Sequence, residues 1–142
     1  MKVYLHAVAV ITLLVPAHAM AVGFLNDYAA WKKAPAEFQT VYLQGAVDGW
    51  LQLEQNSDPE KLKARRAGML SCFQKRNFDA SLALELVNNH YKAHPVDWQY
   101  APAVVLYFAI NSMCLPEINE ERGKLGLPAL VRLPAQLSKD RP

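Results

Sequence analysis

The run "AVVLYFAINSMC", Ala103 to Cys114, is apolar on nearly every face of a helix. A surface helix shows one apolar stripe, so a run apolar all round belongs inside a helical body or a bilayer. Pro102 and Asn111 bound it well short of the roughly 20 residues that a membrane-spanning helix needs. A buried central helix beginning near Ala101-Pro102 is therefore expected, with amphipathic helices packed around it.

Those neighbours can be read on both sides. Upstream, "LALELVNNHYKA" (Leu82 to Ala93) has helical spacing, and Asp79 or Ser81 can cap its start. His94-Pro95 ends it, because the residue before a proline is driven out of the helical region. Earlier, "NSDPEK" (Asn56 to Lys61) is a stop and a restart, with Asp58 as N-cap, Pro59 at the first helical position and Glu60 in the first turn. The helix it starts turns Leu62, Met69 and Leu70 inward towards Cys72, with Arg65 and Arg66 outward. Pro35 suits the first position of the helix before that, which runs to about Gln55 with Phe38, Val41, Tyr42, Gly45, Ala46, Gly49 and Leu53 at three- and four-residue spacing. A short first helix through Trp31 and Lys33 is capped by Asn26 or Asp27. No strand-like alternation competes with this pattern. The expected fold is all-α, a small helical bundle of about five helices.

Two glycines interrupt one of these helices, in "YLQGAVDGW" (Tyr42 to Trp50). Each costs about 0.5–1 kcal/mol relative to alanine in a helix interior. Gly45 and Gly49 lie one turn apart, so the expected compensation is helix packing, with the Val104–Ile110 helix settling close against the strip they open.

The ends of the chain have a different character. "MKVYLHAVAVITLLVPAHA" has a basic Lys2, an apolar run to Val15, a breaking Pro16 and the small-x-small site Ala17-His18-Ala19. This is the pattern of a cleaved secretory signal over residues 1–19, and it implies a periplasmic protein. A helical domain is then expected over residues 20–116. Residues 117–142 form a C-terminal short helix and a Pro-containing tail: "LPEINEERGKLG" gives a polar helix from Pro116 closed by Gly123 or Gly126, and Pro128, Pro134 and Pro142 punctuate the rest.

Charge and cysteines narrow the class. Lys2 is the only charged side chain among the first 19 residues, so of 15 Lys and Arg the mature chain keeps 14 against 13 Asp and Glu. Such a balance argues against nucleic-acid binding, which draws on basic charge, and no stable membrane insertion is expected. "KLKARR" (Lys61 to Arg66) reads as a solvated helix face. Cys72 and Cys114 are the only two cysteines, both in the exported part, so they are expected to form a disulfide.

Chemistry-bearing patterns are sparse. His90 and His94 share a helix face and Asp97 follows, but His-x-x-x-His alone lacks a third helix-borne ligand, and His94 suits a helix C-terminus. Asp48 and Glu85 sit in apolar stretches with nothing to bring them together. There is no nucleophile elbow, phosphate loop or dinucleotide fingerprint. No catalytic residue, metal or cofactor is therefore assigned, and a non-enzymatic binding protein is expected. Aromatic residues are over-represented in binding hot spots, which makes Trp98 and Tyr100 in "DWQY" the candidate partner-binding residues.

Several of these segments together resemble a known family. "YLQGAVDGW" followed by "CFQKRNFDASLALELVNNHYKAHPVDWQYAPAVVLYFAINSMC" is similar to the Rap/Tai family of small exported proteins. The features that match are Tyr42, Gly45 and Asp48, then Cys72, then Tyr91, His94 and Pro95, then Pro102 and the closing Cys114. The likeness covers about residues 24–116. It implies an α-helical periplasmic protein with a disulfide, of a kind whose characterised members are type VI secretion immunity proteins. These bind peptidoglycan-cleaving amidase effectors and block their active sites. The chain departs from the pattern in lacking a second cysteine pair and in its longer tail. A cell-wall amidase is accordingly the expected protein partner, with a homodimer as a further option. A small periplasmic stress chaperone, or a periplasmic structural protein, is the alternative function.

Overall fold

The computed structural model describes residues 25–56 and 60–131, with the side chains of 53–56 excepted. Within them lie six α-helices and one 3₁₀ turn: α1 (Tyr28–Lys33), α2 (Ala36–Asn56), α3 (Glu60–Arg76), α4 (Ala80–Ala93), the turn Pro95–Asp97, α5 (Pro102–Met113) and α6 (Leu115–Lys124). The described residues form an all-α bundle without strands. The expected signal segment and the Asp58-Pro59 restart lie outside them.

Local chemistry sets the boundaries. Asp27 Oδ1 accepts from the Ala30 amide at 2.7 Å and Asp79 Oδ1 from the Leu82 amide at 2.8 Å, so both helix starts are capped by aspartate. Pro35 stands just before α2, where its carbonyl accepts the Gln39 amide, one position earlier than expected. Two helices end in the same left-handed closure. In α3, Asn77 takes φ 49°, while the Phe78 amide reaches back to the Phe73 carbonyl and the Asn77 amide to Gln74. Phe73 and Phe78 stack across that closure at 4.2 Å, the apolar contact that accompanies it. In α6, Gly126 takes φ 67°, with Leu127 N–H on the Arg122 carbonyl and Gly126 N–H on Gly123.

The core gathers residues from every α-helix, including Trp31, Leu43, Met69, Val87, Tyr91, Leu106, Ile110 and Ile118. α3 lies along α6, and α4 packs on both α2 and α5. The expected disulfide is present: Cys72 in α3 and Cys114 at the α5–α6 junction are bonded, and both are fully buried. α5 is the core helix on one side only. Val105, Leu106 and Ile110 are sealed, whereas Val104 is 41% exposed.

Three expectations are corrected. Gly45 and Gly49 are not packing glycines: among the described residues, a Cβ on either would meet nothing within 4 Å. The reason is rotational. α2 buries Leu43 and Val47, and a residue two positions away lies about 200° round the helix, on the opposite side. The close approach is instead at Gly68, whose Cβ would stand 2.6 Å from the Ile118 amide nitrogen. Arg65 and Arg66 do not point wholly outward. Both are half-buried, and Arg65 donates to the Tyr107 hydroxyl of α5 at 2.5 Å. Finally, the bundle does not stop at residue 116. α6 buries Glu117, Ile118 and Arg122, and Glu117 lies 3.9 Å from Lys75 and 3.8 Å from Arg76 of α3.

Beyond the Gly126 closure the chain turns back along α6. The Asn119 side chain grips Leu130 on both sides, accepting its amide at 2.7 Å and donating to its carbonyl at 2.9 Å. Arg122 Nε donates to the Pro128 carbonyl at 2.8 Å.

Candidate protein-binding surface

The two candidate residues of "DWQY" sit at the corner where α4 gives way to α5, and the structure separates their roles. Asp97 is fully buried and its Oδ2 lies 2.9 Å from Nε2 of His90, a link that ties the 3₁₀ turn down onto α4. The turn's backbone closes on itself, with Asp97 N–H on the His94 carbonyl and Trp98 N–H on Pro95. Trp98 is thereby fixed, and three further contacts hold it. Its indole N–H donates to the Tyr91 carbonyl at 2.9 Å, its own carbonyl accepts the Tyr28 amide at 2.8 Å, and its ring stacks on Tyr28 with centroids 4.8 Å apart.

Even so, Trp98 remains 46% exposed and Val96 beside it 54%. An aromatic ring with a fixed rotamer and an open face loses little conformational freedom on docking, which is the property a recognition anchor needs. Tyr100 differs. It is half-buried against the core, and its carbonyl accepts the Tyr91 hydroxyl at 2.6 Å. Burial pushes the Tyr91 phenol well above the usual tyrosine range, so Tyr91 serves as a donor fixing this corner at any physiological pH.

His90, His94 and Asp97 do come together, as their spacing allows. The two imidazoles lie 4.8 Å apart. Burial holds the His90 pKa below the ordinary histidine value, the Asp97 carboxylate opposes that, and His94 adds to it. Among the described residues, no group of three or more His, Cys, Asp or Glu side chains is placed to hold a metal ion. The arrangement acts as a buried strut for the turn.

A second apolar feature lies on α2. Phe38, Val41, Tyr42, Gly45 and Ala46 form, with Ala103 of α5, an open depression of about 400 Å³. Here the absence of side chains at Gly45 contributes a shallow floor instead of a helix contact. Asp48 lines a separate cleft with Asp79, whose Oδ1 is engaged as the α4 cap.

Compared with protein-family models, curated proteins and solved structures, the chain shows no match to any of them. Among the described residues, no helix is long and apolar enough to cross a membrane.

Sequence reasoning missed Gly68 and the Arg65–Tyr107 link. A signal for the first was present: Ala64, Gly68 and Cys72 recur every four residues and are all buried. That small-residue stripe, and not the one in α2, is where a second helix comes close. Arg65 carried no comparable mark, since one arginine in "KLKARR" looks like the next.

Proposed function

We propose that this protein is a periplasmic, non-enzymatic binding protein that neutralises a cell-wall amidase effector, in the manner of the immunity proteins its sequence resembles. The observation that carries the reading is Trp98, a half-exposed aromatic ring held by the turn, by Tyr28 and by Tyr91 on a bundle stapled through Cys72–Cys114. A preorganised aromatic anchor on a rigid body suits tight occlusion of another protein's cleft. The test is survival. Cells exporting a cognate amidase to the periplasm are expected to lyse, and co-export of this chain to prevent it. Continued lysis, with both proteins present in equal amounts, would overturn the reading.

A stress-chaperone function is the alternative, and the open apolar depression on α2 favours it. It requires the protein to open and bind unfolded clients on acidification. Suppression of aggregation of a model client at pH 3, absent at pH 7, would support it over immunity.

A further inference from the structure

Between α3, α5 and the returning tail lies a cavity of about 190 Å³. Its polar lining comes from Arg65, Asn111 and Ser112, and its apolar lining from Leu115, Ile118 and Leu130, with Val131 at the same wall. The tail crosses it without filling it: Leu130 is only half-buried and Val131 is 83% exposed. What fixes the tail here is the Asn119 grip on the Leu130 peptide, which leaves the space beside it open.

Arg65 is the only charged side chain among the described residues that line this cavity. It spends Nη1 on the Tyr107 hydroxyl; its Nε is sealed from solvent and so does not face the open space, which leaves the outer guanidinium N–H groups as its donors there. A guanidinium at the wall of a small, partly apolar cavity bonds a carboxylate more strongly than a neutral acceptor, because the bond is charge-assisted and can be bidentate. The neighbouring Lys61, Lys63 and Arg66 are cations and cannot supply one. Lys61, Lys63, Arg65 and Arg66 make no salt bridge among the described residues, while the α3 ion pairs are at its other end, from Lys75 and Arg76 to α6. The cavity is also smaller than the roughly 300–1,000 Å³ of sites for drug-sized ligands, so its occupant is small.

We infer that this cavity is a binding site for a short carboxylate with a branched apolar body, its head on Arg65 and its body against Leu115, Ile118 and Leu130. Asn111 and Ser112 are placed to complete the polar end. The inference is independent of the immunity reading, because the cavity lies on the α3–α6 side and uses none of the Trp98 corner.

The experiment is a titration of the full mature chain with isovalerate and with isovaleramide, a probe of the same shape and no charge. It is followed by amide chemical shifts and by calorimetry. Isovalerate should shift the amides of Ser112, Ile118 and Leu130 saturably, and isovaleramide should bind at least about tenfold more weakly. Arg65→Gln should remove that preference while leaving the weak amide binding in place. Ser112→Leu, which fills the cavity and leaves the charge intact, should abolish both. N-Acetylvaline, carrying the same head at a peptide end, separates the two sources of such a group: tighter binding than isovalerate assigns the site to a chain terminus, and weaker binding to a free acid. Equal binding of acid and amide overturns the proposal, as does the absence of saturable shifts or a response unchanged in Ser112→Leu. Should Arg65→Gln fail to fold, the acid–amide comparison on the native chain still decides.

Discussion

Gly68 and Ile118 meet backbone to backbone: a Cβ on Gly68 would lie 2.6 Å from the Ile118 nitrogen, closer than atoms can pack. Neither α3 nor α6 can yield without moving the helix that carries the disulfide. Gly68→Ala is therefore expected to destabilise the fold by overpacking, by about 1–3 kcal/mol. Gly45→Ala and Gly49→Ala should do the reverse, each gaining roughly 0.4–1 kcal/mol, because the space is open and the helix backbone suits alanine. Urea denaturation of the three variants checks both signs at once.

Asn77 provides a second backbone test. Its φ of 49° closes α3 in a conformation that glycine takes freely and alanine does not. Asn77→Ala should cost about 1 kcal/mol and Asn77→Gly should be neutral or better. The readout is the denaturation midpoint. A fall in Asn77→Gly equal to that in Asn77→Ala would locate the stabilisation in the side chain instead.

The His90–Asp97 strut predicts a pH dependence with a definite sign. Burial makes folded His90 bind its proton less readily than the unfolded chain does. Its contribution to stability is therefore complete above the ordinary histidine value of about 6.5. That contribution falls as pH drops from there towards the lower folded-state pKa, and below it changes no further. Thermal melts from pH 8 to 5 should show this decline, and His90→Gln, which keeps a donor for Asp97, should flatten it. An identical slope in both proteins would place the titrating group elsewhere.

Removal of the Cys72–Cys114 bond should cost roughly 2–5 kcal/mol. Since both positions are fully buried, the double alanine variant should be more stable than the double serine variant, whose hydroxyls would need buried partners. Melting of the three proteins with and without reductant tests this, because only the native chain should respond to it.

Trp98 and Tyr100 should separate in function as they do in structure. Trp98→Ala loses the Tyr28 stack and the indole bond to the Tyr91 carbonyl, about 1–3 kcal/mol of stability together, yet should weaken capture of a protein partner by about 30-fold or more. Tyr100→Ala should lose more stability than affinity, because its ring packs against the core. Surface-plasmon measurements paired with melting curves for both variants distinguish the two. Equal and small effects on binding would move the interface away from this corner.

Much of the fold was legible because its signals are local. Asp79 sets the start of α4, His94-Pro95 its end and Pro102 the start of α5, each through chemistry confined to a few neighbouring residues. What escaped depended on which face of a helix turns inward, and Gly45 shows why. It belongs to a plausible stripe, but Leu43 and Val47 claim the core from the other side of the same helix. Asp97 was noticed for its spacing from the histidines, while its complete burial could only come from the fold around it. Arg65 looked like one of four equivalent cations until α5 brought Tyr107 to it.

Asn119 holds Leu130 through the peptide group alone, so the identity of residue 130 plays no part in that attachment. The path of the tail is thus written on α6 and not in the tail itself. Exposed side chains there, such as Val131, are open to drift or to replacement by design as long as Asn119 and Arg122 on the helix stay in place. An engineer wishing to display a new segment on this scaffold would keep Asn119, Arg122 and an apolar residue at 130, and rewrite the exposed positions around them.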